Sequence, residues 1–170
     1  MKTEKTSKVR VFALLTAILI PVLVGLFSAY LTRNDMAIYG TMNRPALAPP
    51  GWVFPVAWTA LYIMMGLASY FVFVSDADSE TKRKALTAYG IQLLMNFCWS
   101  ILFFTFSRYL LALIWLLGMW LVILICTVRF YRIHRSAGVM MTVLLLWTTF
   151  AAYLNLSCYI MSVTPMPLLS

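Results

Sequence analysis

The sequence predicts an all-α protein, an integral membrane bundle of five transmembrane helices forming one domain over residues 1–170. Three observations carry this. The chain is 63% hydrophobic and only 11% charged, whereas a soluble domain is nearer half apolar and a quarter charged. A chain of 170 residues is too short to hide that much apolar surface in one soluble core. Finally, the charges lie in short clusters between apolar runs, and most aromatics lie inside the runs.

Five runs are long enough to cross a bilayer, which takes about 20 residues. Backbone groups find no water in hydrocarbon, so each run must be helical. The first covers residues 11–32. Its apolar part is too long for a cleaved signal peptide, and no small-x-small cleavage site follows. Arg33–Pro49 then forms a long link of the kind that tends to be functional. The second run, residues 50–74, opens on Ala48-Pro-Pro-Gly-Trp-Val-Phe-Pro-Val-Ala-Trp58. Pro49 and Pro50 hold the chain extended. A helix starting near Gly51 or Trp52 places Pro55 in its first turn, where a missing N–H costs little. The prolines thus stiffen the junction and aim Trp52 and Trp58.

The third run, residues 85–107, follows the charged loop Asp76–Lys84. Only Arg108 and its neighbours separate it from the fourth, residues 109–128, so these two are antiparallel neighbours. Ala112 and Gly118 on the fourth run permit close helix contact. The fifth covers residues 137–163.

Ten Lys and Arg residues fall on the side of the N-terminus and three on the other. That asymmetry places the N-terminus in the cytoplasm, and the first loop and C-terminus outside, in a multi-pass protein of the cell membrane. The net charge of +8 belongs to loops beside anionic lipid and not to a nucleic-acid surface.

The chemistry-bearing residues are few. His134 sits in a basic loop without a second ligand nearby, so no metal site is expected. Glu4, Asp35, Asp76, Asp78 and Glu80 all lie outside the spans, which weighs against an ion-driven transporter. Cys98, Cys126 and Cys158 fall in apolar runs without a CxxC pair and read as small hydrophobes. No phosphate loop or serine-nucleophile motif appears. The spans carry aromatic and amide stripes instead. Trp58, Tyr62 and Met65 share one helical face, as do Gln92, Asn96, Trp99 and Phe103, and Trp147, Ala151, Asn155 and Cys158. Two readings of these stripes stand. They are ordinary helix packing, with amides as interhelical glue, or they line a pocket for a flat ligand.

Arg44-Pro45, Pro49-Pro50-Gly51-Trp52, Phe54-Pro55, Trp58 and Leu61-Tyr62 resemble the signature of the TspO/MBR family, the translocator, tryptophan-rich sensory or peripheral-type benzodiazepine receptor family. Asn96-Phe97-Cys98-Trp99-Ser100 with Phe103-Phe104 is similar to its third-helix motif. Trp147 with Phe150-Ala151-Ala152-Tyr153-Leu154-Asn155 is similar to its fifth. The resemblance implies a five-helix homodimer whose first loop lids a pocket in each protomer. It implies a receptor or sensor for porphyrins such as protoporphyrin IX, haem-related tetrapyrroles and benzodiazepine-site ligands, with no required cofactor. Carried over, Trp58, Tyr62, Asn96, Trp99, Trp147 and Ala151 are ligand-binding positions, and Arg44 and Pro45 belong to the lid. Light-dependent oxidative breakdown of the porphyrin, with Trp58 and Trp147 as catalytic candidates, and transport of porphyrin or sterol cargo are the alternative activities. The chain departs from the family in three places, one being the acid-then-base loop Asp76–Lys84, which matches no family motif. Ile38 and Leu47 stand where lid tryptophans are common, and no Lys or Arg follows Tyr153, so the sterol pattern expected there is not supported.

Overall fold

The computed structural model describes the backbone of residues 2–41 and 47–164, with side chains for 10–35 and 47–164. Helix α1 spans Lys2–Thr41, α2 Val53–Val74, α3 Ser79–Ser100, α4 Tyr109–Ile133 and α5 Arg135–Val163. A π-helical turn, Ile101–Thr105, continues α3. Five helices are long and apolar enough to cross a membrane, and the described residues contain no strand. The protein is an integral, multi-pass membrane protein.

Inward-facing residues recur at alternating steps of four and three. On α4 they are Ala112, Leu116, Met119, Ile123, Cys126 and Phe130; on α5 they are Ala137, Met141, Leu144, Thr148, Ala151, Asn155 and Cys158. This is the spacing that keeps one stripe facing a partner along a left-handed helix pair. Small residues are mixed with large ones along both stripes, so the two helices approach closely, and Met119, Ile123, Met141 and Leu144 are completely buried. Lipid is as apolar as these side chains, so close packing, more than water exclusion, holds the pair together. Ala112 lies inside this protomer's core and is not free for contact with a second copy.

Helix α1 is held differently. Most of its apolar side chains face outward, including Leu15, Leu19, Leu23 and Leu26. Pro21 lacks the N–H that would bond the Ala17 carbonyl. That carbonyl lies against Gly66 of α2, where an added Cβ would come within 2.7 Å of it and 2.6 Å of Ile18 Cα. One turn on, a Cβ at Gly25 would run into the Tyr62 ring. The two glycines let α1 approach α2 closely enough for a helix with little burial to stay docked.

Several boundaries differ from the sequence expectation. Helix α1 continues through Arg33 to Thr41, because nothing in Arg33–Tyr39 breaks a helix once it leaves the bilayer. Helix α3 begins at Ser79, inside the expected loop, because Asp78 caps it: Thr81 N–H donates to Asp78 Oδ1 at 2.9 Å. The expected loop between the last two spans shrinks to His134, an extended residue stacked 4.8 Å from Phe71. The turn between the third and fourth spans is as tight as the sequence indicates, and Ser107 takes φ 49° there. Cys126 and Cys158 are buried, Cys98 is half-buried, and none of the three is in a disulfide.

Candidate functional site

The interior of α1 and α5, the end of α3 with its π turn and the start of α2 together line a cavity of about 230 Å³. The junction before α2 builds one wall. Val53 N–H donates to Pro50 O at 2.9 Å and closes the turn into the helix. Pro55 is the third helical residue, so its missing N–H leaves no helical carbonyl without a donor. Ala48, Pro49, Gly51, Phe54 and Pro55 line the cavity. Helix α1 adds Gly25, Ser28, Ala29 and Thr32, whose small side chains leave space beside the aromatics.

Trp58 is the centre of the aromatic cluster. Its ring lies 5.7 Å from Tyr62, 6.3 Å from Trp99 and 6.3 Å from Trp147, the last edge-on at 85°. Phe54 also packs edge-on against Trp147. These are the spacings at which rings attract one another, yet three indoles cannot interlock like Leu and Ala, and the remainder is open space. The π turn widens the aromatic wall by bringing the consecutive residues Phe103 and Phe104 both to the cavity. Trp99 stacks on Phe103 at 5.2 Å.

Two amides fix ring orientations. Asn155 Oδ1 accepts from Trp99 Nε1 at 3.2 Å, while its Nδ2 donates to the Tyr109 carbonyl at 2.8 Å. Asn155 therefore ties α3, α4 and α5 together and sets the Trp99 plane. Asn96 Oδ1 accepts from the Tyr62 hydroxyl at 3.1 Å. The Trp147 indole N–H is buried without a partner. None of the described lining residues is Asp, Glu, Lys, Arg or His, and the described residues hold no group of His, Cys, Asp or Glu able to bind a metal. The cavity thus offers flat apolar walls and no fixed charge among its described residues, with the unpartnered Trp147 N–H buried in the wall.

The sequence-derived residues distribute unevenly. Trp58, Tyr62, Trp99, Trp147 and Ala151 all line the cavity. Asn96 does not; it sits behind Tyr62 and is 1% exposed. Arg44 and Pro45 lie outside the described residues. Sequence reasoning missed the α1 wall, although Gly25, Ser28, Ala29 and Thr32 recur on one helical face and were readable as a small-residue stripe. It also missed Phe104, which only the π turn brings inward.

The sequence model of the TspO/MBR family matches residues 17–161. The chain belongs to the TspO/MBR family. A tryptophan-rich sensory protein of Cereibacter sphaeroides is 38% identical over 117 residues, covering 69% of this chain and 72% of that protein. A tryptophan-rich protein TspO of Chlorobaculum tepidum is 33% identical over 69% of this chain and 74% of its own length. The human translocator protein is 30% identical over 129 residues, 75% of this chain and 76% of its own. The aromatic cavity of this TspO/MBR protein is built wholly within the matched residues.

Proposed function

We propose that this protein is a membrane receptor or sensor that binds porphyrins and benzodiazepine-site-type flat ligands in the aromatic cavity. The observation that supports this most is the convergence of Trp58, Trp99 and Trp147, from three helices, around a space without fixed charge. Flat π-surfaces stack well on indoles, and the buried, unpartnered Trp147 N–H gains an acceptor if ligand binding turns the ring toward a carbonyl or ring nitrogen. The cavity is smaller than the roughly 300–1,000 Å³ of sites that bury a drug-sized ligand. A tetrapyrrole therefore seats part of its plane there and extends past the mouth, or displaces α1, the least embedded wall. Its carboxylates stay at the outer rim, on the side of Arg33, which lies 4.2 Å over the Tyr30 ring next to the lining residue Thr32.

Protoporphyrin IX added to the purified protein should quench tryptophan fluorescence saturably. Trp58→Ala and Trp147→Ala should each weaken binding by about tenfold, the equivalent of 1.4 kcal/mol. Unchanged fluorescence, or wild-type affinity in both variants, defeats the reading. Light- and oxygen-dependent breakdown of the bound porphyrin, with dissolved O2 as the oxidant, is a second reading, supported by the edge-on pair of Trp58 and Trp147 against which an excited porphyrin would lie. Product formation under light that survives in both variants at the rate of a detergent blank removes it. The proposal includes a cell-membrane location with the N-terminus in the cytoplasm, as the lysine and arginine count indicates, and a homodimer.

A further inference from the structure

A hydroxyl on a membrane helix commonly turns back onto a carbonyl of its own helix, because hydrocarbon offers it no other partner. Four buried hydroxyls do so here. Thr32 donates to the Ser28 carbonyl at 3.0 Å, Ser69 to that of Gly66, Thr127 to Ile123 and Thr148 to Leu144. Ser28 is the exception. It is 4% exposed, yet its hydroxyl closes no hydrogen bond with a described residue. Its oxygen is not sealed off by the protein as Trp147 Nε1 is, and the residue lines the cavity. The hydroxyl is therefore a buried polar group whose open side is the cavity.

Its position gives it a use. Gly25 of α1 abuts the Tyr62 ring of α2. The two helices cross the membrane in opposite directions, so one turn onward along α1 and one turn back along α2 bring Ser28 level with Trp58. A flat guest lying on the Trp58 ring has an edge beside Ser28. Donors are scarce in this cavity. The Tyr62 hydroxyl is committed to Asn96, the Trp99 N–H to Asn155, and the Thr32 and Ser100 hydroxyls to backbone carbonyls. The Trp147 N–H is buried in the wall. Acceptors are not scarce, since each donating hydroxyl oxygen keeps lone pairs. We propose that Ser28 determines the specificity of the cavity: its hydroxyl donates to an uncharged acceptor, a carbonyl or ring nitrogen, on the edge of a flat aromatic guest. This rests on the flat-ligand reading of the cavity and adds which flat ligands it selects.

Two probes of nearly the same shape test this, 9-fluorenone, which carries an edge carbonyl, and fluorene, which does not. Equilibrium dialysis against the full chain in nanodiscs, with empty nanodiscs subtracted, gives both affinities. Fluorenone should bind about fivefold more tightly than fluorene, the gain of one neutral hydrogen bond. Ser28→Ala should bring fluorenone down to the level of fluorene and leave fluorene unchanged. The same substitution should leave the melting temperature equal or higher, because the hydroxyl has no structural partner to lose. Ser69→Ala, which removes a bonded hydroxyl away from the cavity, should lower it. Equal affinities in the wild type overturn the proposal, as does a preference for fluorenone that survives Ser28→Ala. A loss of stability in Ser28→Ala as large as in Ser69→Ala also overturns it, since the hydroxyl then serves the fold. If neither probe binds while protoporphyrin IX does, only the role of Ser28 falls; if protoporphyrin IX fails as well, the flat-ligand reading falls with it.

Discussion

The α4–α5 seam and the cavity end use the same inward spacing and reach opposite results. Along α4 and α5 the stripe mixes Ala, Cys and Thr with Leu, Met, Ile and Phe, and these residues are buried between the helices. At the cavity end the inward positions carry Trp58, Tyr62 and Trp99, with Trp147 beside its stripe. The facing α1 supplies only Gly25, Ser28, Ala29 and Thr32. Large rigid rings against small residues leave a gap that no rotamer change closes. Spacing decides which residues point inward; matching of sizes decides whether they form a core or a container.

The sharpest way to break this comparison is to truncate one large residue in each region. Leu116→Ala in the filled seam should cost about 2–5 kcal/mol of stability, because the deletion leaves a new void. Trp58→Ala removes a larger side chain but borders space already open, and should cost less. Reversible unfolding in detergent compares the two, and equal losses would mean that the cavity end is packed as a core. A second contrast uses glycines. Gly66→Ala forces a methyl into the α1 backbone and should cost about 1–3 kcal/mol while loosening the α1 wall. Gly90→Ala has no neighbour within 4 Å and should stabilise by up to about 1 kcal/mol through helix propensity.

A third substitution sharpens the role of the amides. Asn155→Leu leaves the Trp99 N–H without an acceptor, at a cost of about 1–3 kcal/mol. It should also shift the tryptophan emission spectrum as the ring is freed, whereas Leu116→Ala should not. The smallest effect lies away from both regions. Hydrogen bonds from the Thr81 side chain and then its N–H hold the Asp78 N-cap carboxylate below the usual aspartate range. A lowered folded-state value means that the cap stabilises fully at neutral pH and is lost as pH falls through the Asp78 value. Asp78→Ala should therefore lower the melting temperature at pH 7, and the gap to wild type should close on acidification.

The fold was legible because lipid imposes a strict rule. Charge-free runs of sufficient length must be helices, and the single residue or so between the third and fourth runs forces them antiparallel. Helix ends were less legible, since Arg33–Thr41 and Ser79–Lys84 are polar segments that can be loop or helix with similar ease. A cap at Asp78 settled one of them. Within the site, Trp58, Tyr62, Trp99, Trp147 and Ala151 were readable from periodicity and from the family signature. Asn96 shares their face, yet the contact with Tyr62 draws it behind the wall, and no periodicity distinguishes a wall residue from the one supporting it.

The sequence by itself determined the membrane environment, the number of spans and the inward stripe on each of three helices, because hydropathy and helical period are local properties. Only the tertiary structure decided that the indoles surround a cavity, that Asn155 sets the Trp99 plane, and that α1 docks through Gly25 and Gly66. Those outcomes depend on the shapes that meet across helices, and shape complementarity is a property of pairs of segments that no single stretch of chain contains.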